Sequence, residues 1–200
     1  MLHDSTNSFV FQVILFMNSF TAIDTALLSW FNHHYIPGSI PFLQFISSVT
    51  TYVSIAVVIM VFIFSFIRKQ SLLRYYSLIL AIVLIAVAVV SPVMKSLIYR
   101  ERPFYTHQHI EKRSEGGESS FPSGHSMEAF ALAVTLSLCF RRKSVTITAV
   151  TWALLVGYSR IALGVHYPSD VLAGMLIGGF LGWLILYIFK MANPSLRKKA

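Results

Sequence analysis

The chain has 200 residues, of which 56% are hydrophobic and only 12% are charged. Soluble domains carry about 25% charged residues. Several apolar runs exceed the roughly 18–20 residues that cross a bilayer, so a soluble domain is excluded and a bundle of membrane helices is predicted. The single cysteine, Cys139, excludes an internal disulfide and any metal site built from several cysteines.

The net charge of +8 does not indicate nucleic-acid binding, because its distribution follows the apolar runs. Basic residues flank those runs in two short connecting segments and at the C-terminus, and no acidic residue shares these clusters. Such clusters are expected on the cytoplasmic side of a membrane, where anionic lipid headgroups are their partners. The clusters are Arg68, Lys69 and Arg74; Arg141, Arg142 and Lys143; and Lys190, Arg197, Lys198 and Lys199.

Residues 1–41 precede the clear membrane spans. The segment FVFQVILFMNSFTAIDTALLSWF is apolar, but Asn18 and Asp24 interrupt it, and no lysine or arginine occurs before Arg68. We therefore predict interfacial amphipathic helices on the outer surface. A sixth span across residues 9–31 is the alternative.

Five clear spans follow, and they predict an all-α, polytopic membrane helix bundle in one domain, residues 1–200. Alternation places the basic segments 68–72 and 141–143 in the cytoplasm, and the segments 98–122 and 164–169 on the opposite side. The predicted spans are residues 42–67, 73–97, 123–140, 144–163 and 170–190.

Three polar motifs interrupt this pattern, all of them where a span meets the outer surface. They are KSLIYRERP at 95–103, PSGH at 122–125 and SRIALGVHYPSD at 159–170. Ionisable residues at such positions are costly to bury, which makes them candidates for function. The three motifs are therefore expected to form one site.

The cations of these motifs indicate an anionic ligand. Lys95, Arg102 and Arg160 bring three positive charges together, and two guanidinium groups plus an ammonium group suit a phosphate. Ser123 and Gly124 begin the third span, where free backbone N–H groups and the helix dipole favour an anion. Glycine allows close approach of the backbone, and the serine adds a hydroxyl donor.

Two histidines are the candidates for the nucleophile and the general acid. Asp170 follows His166 by four residues, so its carboxylate can fix one ring nitrogen and leave the other as a nucleophile. Attack on phosphorus gives a phosphohistidine, and His125 can protonate the leaving oxygen as a general acid. Nothing in this scheme needs a metal or another cofactor.

The three motifs resemble those of the type 2 phosphatidic acid phosphatases, also called lipid phosphate phosphatases, which are related to vanadium-dependent haloperoxidases. The pattern K-x6-R-P, P-S-G-H and S-R-x5-H-x3-D is matched at every position within residues 85–190. The resemblance implies that His166 is the nucleophile, Asp170 its partner and His125 the acid. It implies that the phosphate is held by Lys95, Arg102, Ser123, Gly124 and Arg160, on the extracytoplasmic face.

Some polar residues lie outside the signature. Glu128 is interpreted as a favourable charge near a helix start, with two alternatives: orienting His125 or repelling a second anionic group. Arg100 is interpreted as a solvated loop charge or an attractant for a polyanionic headgroup. His107 and His109 lack the companions of a metal site and are assigned to a solvated loop. A run of glycines, Gly174, Gly178, Gly179 and Gly182, predicts close packing of the fifth span.

The sequence thus predicts an integral membrane phosphatase of lipid phosphates or diphosphates, located in a bacterial inner membrane. Undecaprenyl diphosphate, phosphatidylglycerophosphate, phosphatidic acid and a lipid A phosphate all remain compatible, and the oligomeric state is left open. Two rival functions remain: a phosphotransferase between lipids, and a transporter of phosphorylated lipids, which would bind its lipid without releasing phosphate.

Overall fold

The computed structural model describes residues 2–36 and 38–193, and this part of the chain forms an all-helical bundle. The basic residues Arg197, Lys198 and Lys199, predicted to be cytoplasmic, lie outside the described residues. In chain order the helices are α1 (Leu2–His33), α2 (Ile40–Ile67), α3 (Ser71–Leu97), α4 (Pro103–Thr106), α5 (Gly124–Phe140), α6 (Lys143–Ala162) and α7 (Pro168–Ala192).

The five predicted spans correspond to α2, α3, α5, α6 and α7. Within the described residues, α2, α3, α6 and α7 are long and apolar enough to cross a membrane, and α5 is an apolar helix of 17 residues. Large apolar side chains on these helices point away from the protein, as expected for surfaces that face lipid. Examples are Ile63, Ile85, Val89, Leu176 and Phe180.

The N-terminal region forms one continuous helix, α1, instead of several short ones. Its C-terminal half packs against α6 and α7. Asp24, which interrupts the apolar pattern, is buried there with 4% of its surface exposed. The interfacial placement of residues 9–31 stays a prediction.

Within the described residues, α5 and α7 form the most extensive contact between two helices, and glycines allow their backbones to approach closely. A Cβ atom on Gly178 would lie 2.1 Å from the carbonyl oxygen of Met127, and one on Gly182 would lie 2.5 Å from that of Ala131. Gly174 meets the carbonyl oxygen of Ser123 in the same way, at 2.5 Å. The predicted close packing is thus confirmed at three of the four glycines.

A hydrophobic core fills the space between α3, α5 and α7. Its buried members include Ile79, Val83, Val87, Met127, Ala131 and Leu186. Four helix ends meet at one end of the bundle: the C-terminal ends of α3 and α6 and the N-terminal ends of α5 and α7. The segment 98–123 covers this end, anchored by an antiparallel bridge between Glu101 and Ser119.

Candidate active site

A cavity of about 320 Å³ lies where these helix ends meet beneath the segment 98–123, and we call it the polar cavity. It brings together six of the eight predicted site residues, although they come from three distant motifs. The residues lining it are Lys95, Arg102, Glu115, Gly116, Gly117, Gly124, His125, Arg160 and His166.

His166 lies on the short connection between α6 and α7 and is almost fully buried, with 2% exposed. Its Nε2 atom lies 3.3 Å from Nη1 of Arg102, and its Nδ1 atom lies 3.7 Å from Oδ2 of Asp170. A guanidinium group only donates hydrogen bonds, so Nε2 must carry the lone pair and Nδ1 the proton. The lone pair therefore lies beside a cation that borders the polar cavity, while the N–H group lies near the carboxylate but beyond hydrogen-bond distance.

Burial keeps His166 neutral. Removing the imidazolium ion from water lowers the pKa of His166 from its ordinary value of 6.5 to about 3, and nearby Arg160 and Arg102 act in the same direction. The opposing effect of Asp170 is smaller than that of burial. A neutral imidazole is the form that can act as a nucleophile.

Asp170 stands behind His166 and does not line the polar cavity. One of its oxygens, Oδ2, accepts a hydrogen bond of 2.9 Å from the backbone N–H of Tyr167 at the start of α7. The other, Oδ1, lies 2.7 Å from Nη1 of Arg100. The carboxylate is thus held on both sides, and its position relative to the ring of His166 is fixed.

Arg100 differs from the sequence-based interpretation of a solvated charge. Its guanidinium group bridges Asp170 and Asp24, with Nη2 2.8 Å from Oδ2 of Asp24. It also lies 3.8 Å from the ring centre of Tyr167. The two carboxylates raise the pKa of Arg100, although burial opposes them. Arg100 therefore connects α1 to the carboxylate behind His166.

Asp24 completes this connection and was not identified from the sequence. It accepts hydrogen bonds from the backbone N–H and the side-chain hydroxyl of Ser169, in addition to the ion pair with Arg100. The sequence offered one signal, a carboxylate in an otherwise apolar segment, but its partner lies 76 residues away.

Three cations converge on the polar cavity. Nζ of Lys95 donates a 2.9 Å hydrogen bond to the carbonyl oxygen of Ser119. Arg102, 4% exposed, donates to the carbonyl oxygens of Val165, Ser119 and Gly117. Burial lowers the pKa of Arg102.

Arg160 is the third cation. It contacts the hydroxyl of Ser47 and the carbonyl oxygen of Glu115, yet its buried Nε has no hydrogen-bond partner. A buried donor without a partner is costly. Glu115 is the one acidic residue among the residues that line the polar cavity, and its carboxylate is fully exposed. An anionic ligand would satisfy both the charge and the free donor.

The start of α5 forms another wall. By their position, the first backbone N–H groups of this helix, including those of Gly124 and His125, have no partner within the helix. Ser123 lies just before the helix, fully buried, and its hydroxyl is hydrogen-bonded to that of Ser126 at 2.9 Å. Ser123 does not line the polar cavity, so its predicted contact with phosphate stays a prediction.

A second cavity, of about 400 Å³, adjoins the first, and we call it the lateral cavity. Gly124 and His125 line both cavities. The remaining walls come from the membrane-embedded parts of α2, α3 and α5, and most are apolar. They are Thr51, Ile55, Leu84, Ile85, Val87, Ala88, Ser91, Pro92 and Glu128.

The described residues contain no group of three or more His, Cys, Asp or Glu side chains placed to hold a metal ion. His107 and His109 lie next to each other, with ring centres 5.7 Å apart, in a pocket that they share with residues of α1. Burial and the neighbouring His109 lower the pKa of His107.

Comparison with known proteins finds relatives in sequence and in structure. The family model described as "PAP2 superfamily" matches residues 73–194, more than half of the chain. A lipid A 4'-phosphatase of Bacteroides thetaiotaomicron is 42% identical over 88 residues, 44% of this chain and 39% of that protein. An undecaprenyl-diphosphatase of Sulfolobus acidocaldarius is 35% identical over 138 residues, 68% of this chain and 64% of that protein.

Each of these alignments spans less than two thirds of the relative's own length. Solved structures are similar to this chain over a larger part of both proteins. A PAP2-type phosphatidylglycerolphosphate phosphatase from Bacillus subtilis superposes with a TM-score of 0.75 at 25% identity, covering 92% of this chain and 95% of that one. The LpxE protein of Aquifex aeolicus gives 0.72 at 26% identity, covering 81% and 93%.

Proposed function

Because the chain belongs to the PAP2 superfamily, we propose that it removes phosphate from membrane lipid phosphates through a phosphohistidine intermediate. The observation that carries this proposal is the convergence in the polar cavity. There, His166, His125 and three cations from separate motifs surround a space of about 320 Å³. The free Nε of Arg160 supports an anionic substrate.

In the first step, Nε2 of His166 attacks the phosphorus atom. The bond between phosphorus and the lipid oxygen breaks, and its electron pair leaves with that oxygen. His125 donates a proton to it, so that a lipid alcohol, or a lipid monophosphate from a diphosphate, is released. Lys95, Arg102 and Arg160 stabilise the charge on the three remaining phosphate oxygens.

In the second step, water attacks the phosphorus atom of the phosphohistidine. His125, now unprotonated, accepts a proton from that water, and the bond between phosphorus and Nε2 breaks. Inorganic phosphate leaves, and both histidines return to their starting states. Asp170 keeps Nδ1 of His166 oriented throughout and offsets the positive charge of the phosphorylated ring.

The substrate is proposed to be a lipid whose tail occupies the lateral cavity. That cavity opens among the membrane-embedded helices and reaches His125, where the leaving group must be protonated. The named activities of the relatives, on lipid A, undecaprenyl diphosphate and phosphatidylglycerolphosphate, support an envelope lipid.

We propose that the site faces the extracytoplasmic side of a bacterial inner membrane, in agreement with the basic segments at the opposite end of the bundle.

A phosphotransferase is the second candidate function, because a lipid hydroxyl that replaces water in the second step would take the phosphate. A transporter is less well supported, since binding alone requires the cations but not two histidines and an oriented carboxylate.

The experiment is phosphate release by the detergent-purified protein, with EDTA present, from a panel of lipid phosphates and diphosphates. We expect release from at least one lipid and complete loss in His166→Ala. His109→Ala, which changes an exposed histidine outside the polar cavity, serves as the matched control.

Trapping with a lipid labelled in its terminal phosphate should give an alkali-stable, acid-labile phosphoprotein that His166→Ala does not form. Turnover by His166→Ala above trace level would overturn the phosphohistidine mechanism. Loss of activity in EDTA would overturn metal independence. Label transferred to a second lipid would favour the phosphotransferase.

A further inference from the structure

The lateral cavity contains a carboxylate that the proposed reaction does not use. Glu128 lies one turn after His125 on α5, and residues three apart on a helix share a face. Oε2 of Glu128 accepts a 2.9 Å hydrogen bond from the hydroxyl of Thr51 on α2. Oε1 is buried and has no hydrogen-bond partner. A buried acceptor without a partner is costly, so this oxygen requires an explanation.

The position of Glu128 relative to His125 offers an explanation for this unpaired oxygen. His125 lines both cavities, so a leaving oxygen that His125 protonates lies at their junction. The leaving group then continues into the lateral cavity, past Glu128. In a lipid monophosphate, the part of the leaving group that follows the leaving oxygen is the alcohol carbon of the lipid, which is uncharged. In a lipid diphosphate it is a second phosphate group, which is anionic.

The charges of the two cavities are opposite. The polar cavity has Lys95, Arg102 and Arg160 around the scissile phosphate. Among the described residues that line the lateral cavity, no lysine or arginine takes part, and Glu128 is the one carboxylate. A second phosphate there would meet a like charge in surroundings that screen it poorly, and it would lack a cation.

We infer that Glu128 is a specificity-determining residue that selects lipid phosphate monoesters over lipid diphosphates. Specificity of this kind arises from rejecting the competitor, through a charge that the wrong substrate cannot satisfy. Oε1 can in addition accept a hydrogen bond from a hydroxyl group near the scissile ester, which monoester lipids with a free hydroxyl supply. This inference rests on the proposed phosphatase function.

The test compares substrates that differ only in the second phosphate. Farnesyl phosphate and farnesyl diphosphate form one pair, and phosphatidic acid and diacylglycerol diphosphate form the other. For each, kcat/KM is measured from phosphate release by the wild-type protein and by Glu128→Gln, which keeps the size of the side chain and removes its charge.

We expect the wild-type protein to favour the monophosphate of each pair, and Glu128→Gln to shift the ratio at least tenfold toward the diphosphate. Glu118→Gln removes a charge from an exposed residue of segment 98–123 that does not line the lateral cavity, and it should leave the ratio unchanged. Thr51→Val removes the hydroxyl contact without changing charge, so it should shift the ratio much less than Glu128→Gln.

A wild-type preference for the diphosphates, or an equal change in both members of a pair on Glu128→Gln, would overturn the inference while the phosphatase function stands. Absence of phosphate release by the wild-type protein from these four lipids and from the whole panel of lipid phosphates would instead contradict the proposed function.

Discussion

The polar and lateral cavities meet at His125 but are built in different ways. The polar cavity is formed by helix ends and by the segment 98–123, and it collects residues from three motifs that are far apart in the sequence. The lateral cavity is formed by consecutive turns of α2, α3 and α5, and most of its walls are apolar. In the proposed reaction, the polar cavity holds the groups that act on phosphorus, and the lateral cavity holds the groups that contact the lipid. Changes in the two cavities should therefore have separable effects.

After the complete loss expected for His166→Ala, the largest effect is expected from Arg160, whose Nε is an unsatisfied donor in the polar cavity. Arg160→Ala should lower kcat about 10²- to 10³-fold, the usual loss when a group that stabilises transition-state charge is removed. Arg160→Lys keeps the charge but not the planar fork, so it should recover only part of the loss. Phosphate release from the best substrate of the panel measures both. Full activity in Arg160→Lys would show that charge alone matters at this position.

Arg100 tests whether the polar cavity depends on residues behind it. Arg100→Ala should lower kcat about 10- to 100-fold, as expected when the support of a catalytic group is removed, with little change in KM. Arg100→Lys should restore part of the activity, because it can still pair with Asp170. Arg113 also lies in segment 98–123 and pairs with Glu111, so Arg113→Ala is the matched control. An equal loss in both alanine variants would mean that Arg100 only stabilises the loop.

The lateral cavity is tested by filling it. Ala88 is exposed on α3 and lines this cavity, so Ala88→Phe should raise KM for a lipid substrate about tenfold, through loss of apolar contacts. Hydrolysis of p-nitrophenyl phosphate, which has no lipid tail, should be unaffected. Val89→Phe enlarges a neighbouring side chain that does not line the cavity and should change neither activity. If Ala88→Phe slowed both substrates equally, the separation of the two cavities would be wrong.

The smallest effect is expected from pH. Because burial lowers the pKa of His166 to about 3, the ring should stay neutral as the pH falls from 8 to 5. An ordinary histidine would become protonated over that range. The ¹⁵N resonances of histidine-labelled protein should therefore include one ring that keeps its proton on Nδ1 throughout, absent in His166→Gln. A transition of that ring near pH 6.5 would show that the site is open to water.

Hydropathy and motif spacing predicted the helical bundle and the shared position of the signature residues. This was possible because both are encoded locally, in apolar runs and in residues at helix ends. The contribution of α1 could not be predicted in this way. Asp24 appeared to be an interruption and Arg100 a solvated charge, because their pairing depends on how distant segments pack. The orientation of the Ser123 hydroxyl toward Ser126 is likewise a packing detail without a local signal.

The glycine contacts between α5 and α7 have a consequence for how the protein responds to its surroundings. Backbone packs directly on backbone at Gly174, Gly178 and Gly182. Van der Waals contact between the two backbones therefore sets the spacing of these helices, with no long side chains between them to rearrange. His125 is the second residue of α5, and His166 lies two residues before the start of α7. The separation of the two histidines should therefore be insensitive to bilayer thickness and to changes in acyl-chain composition. A cell that remodels its lipids with temperature would keep the same chemistry at this site.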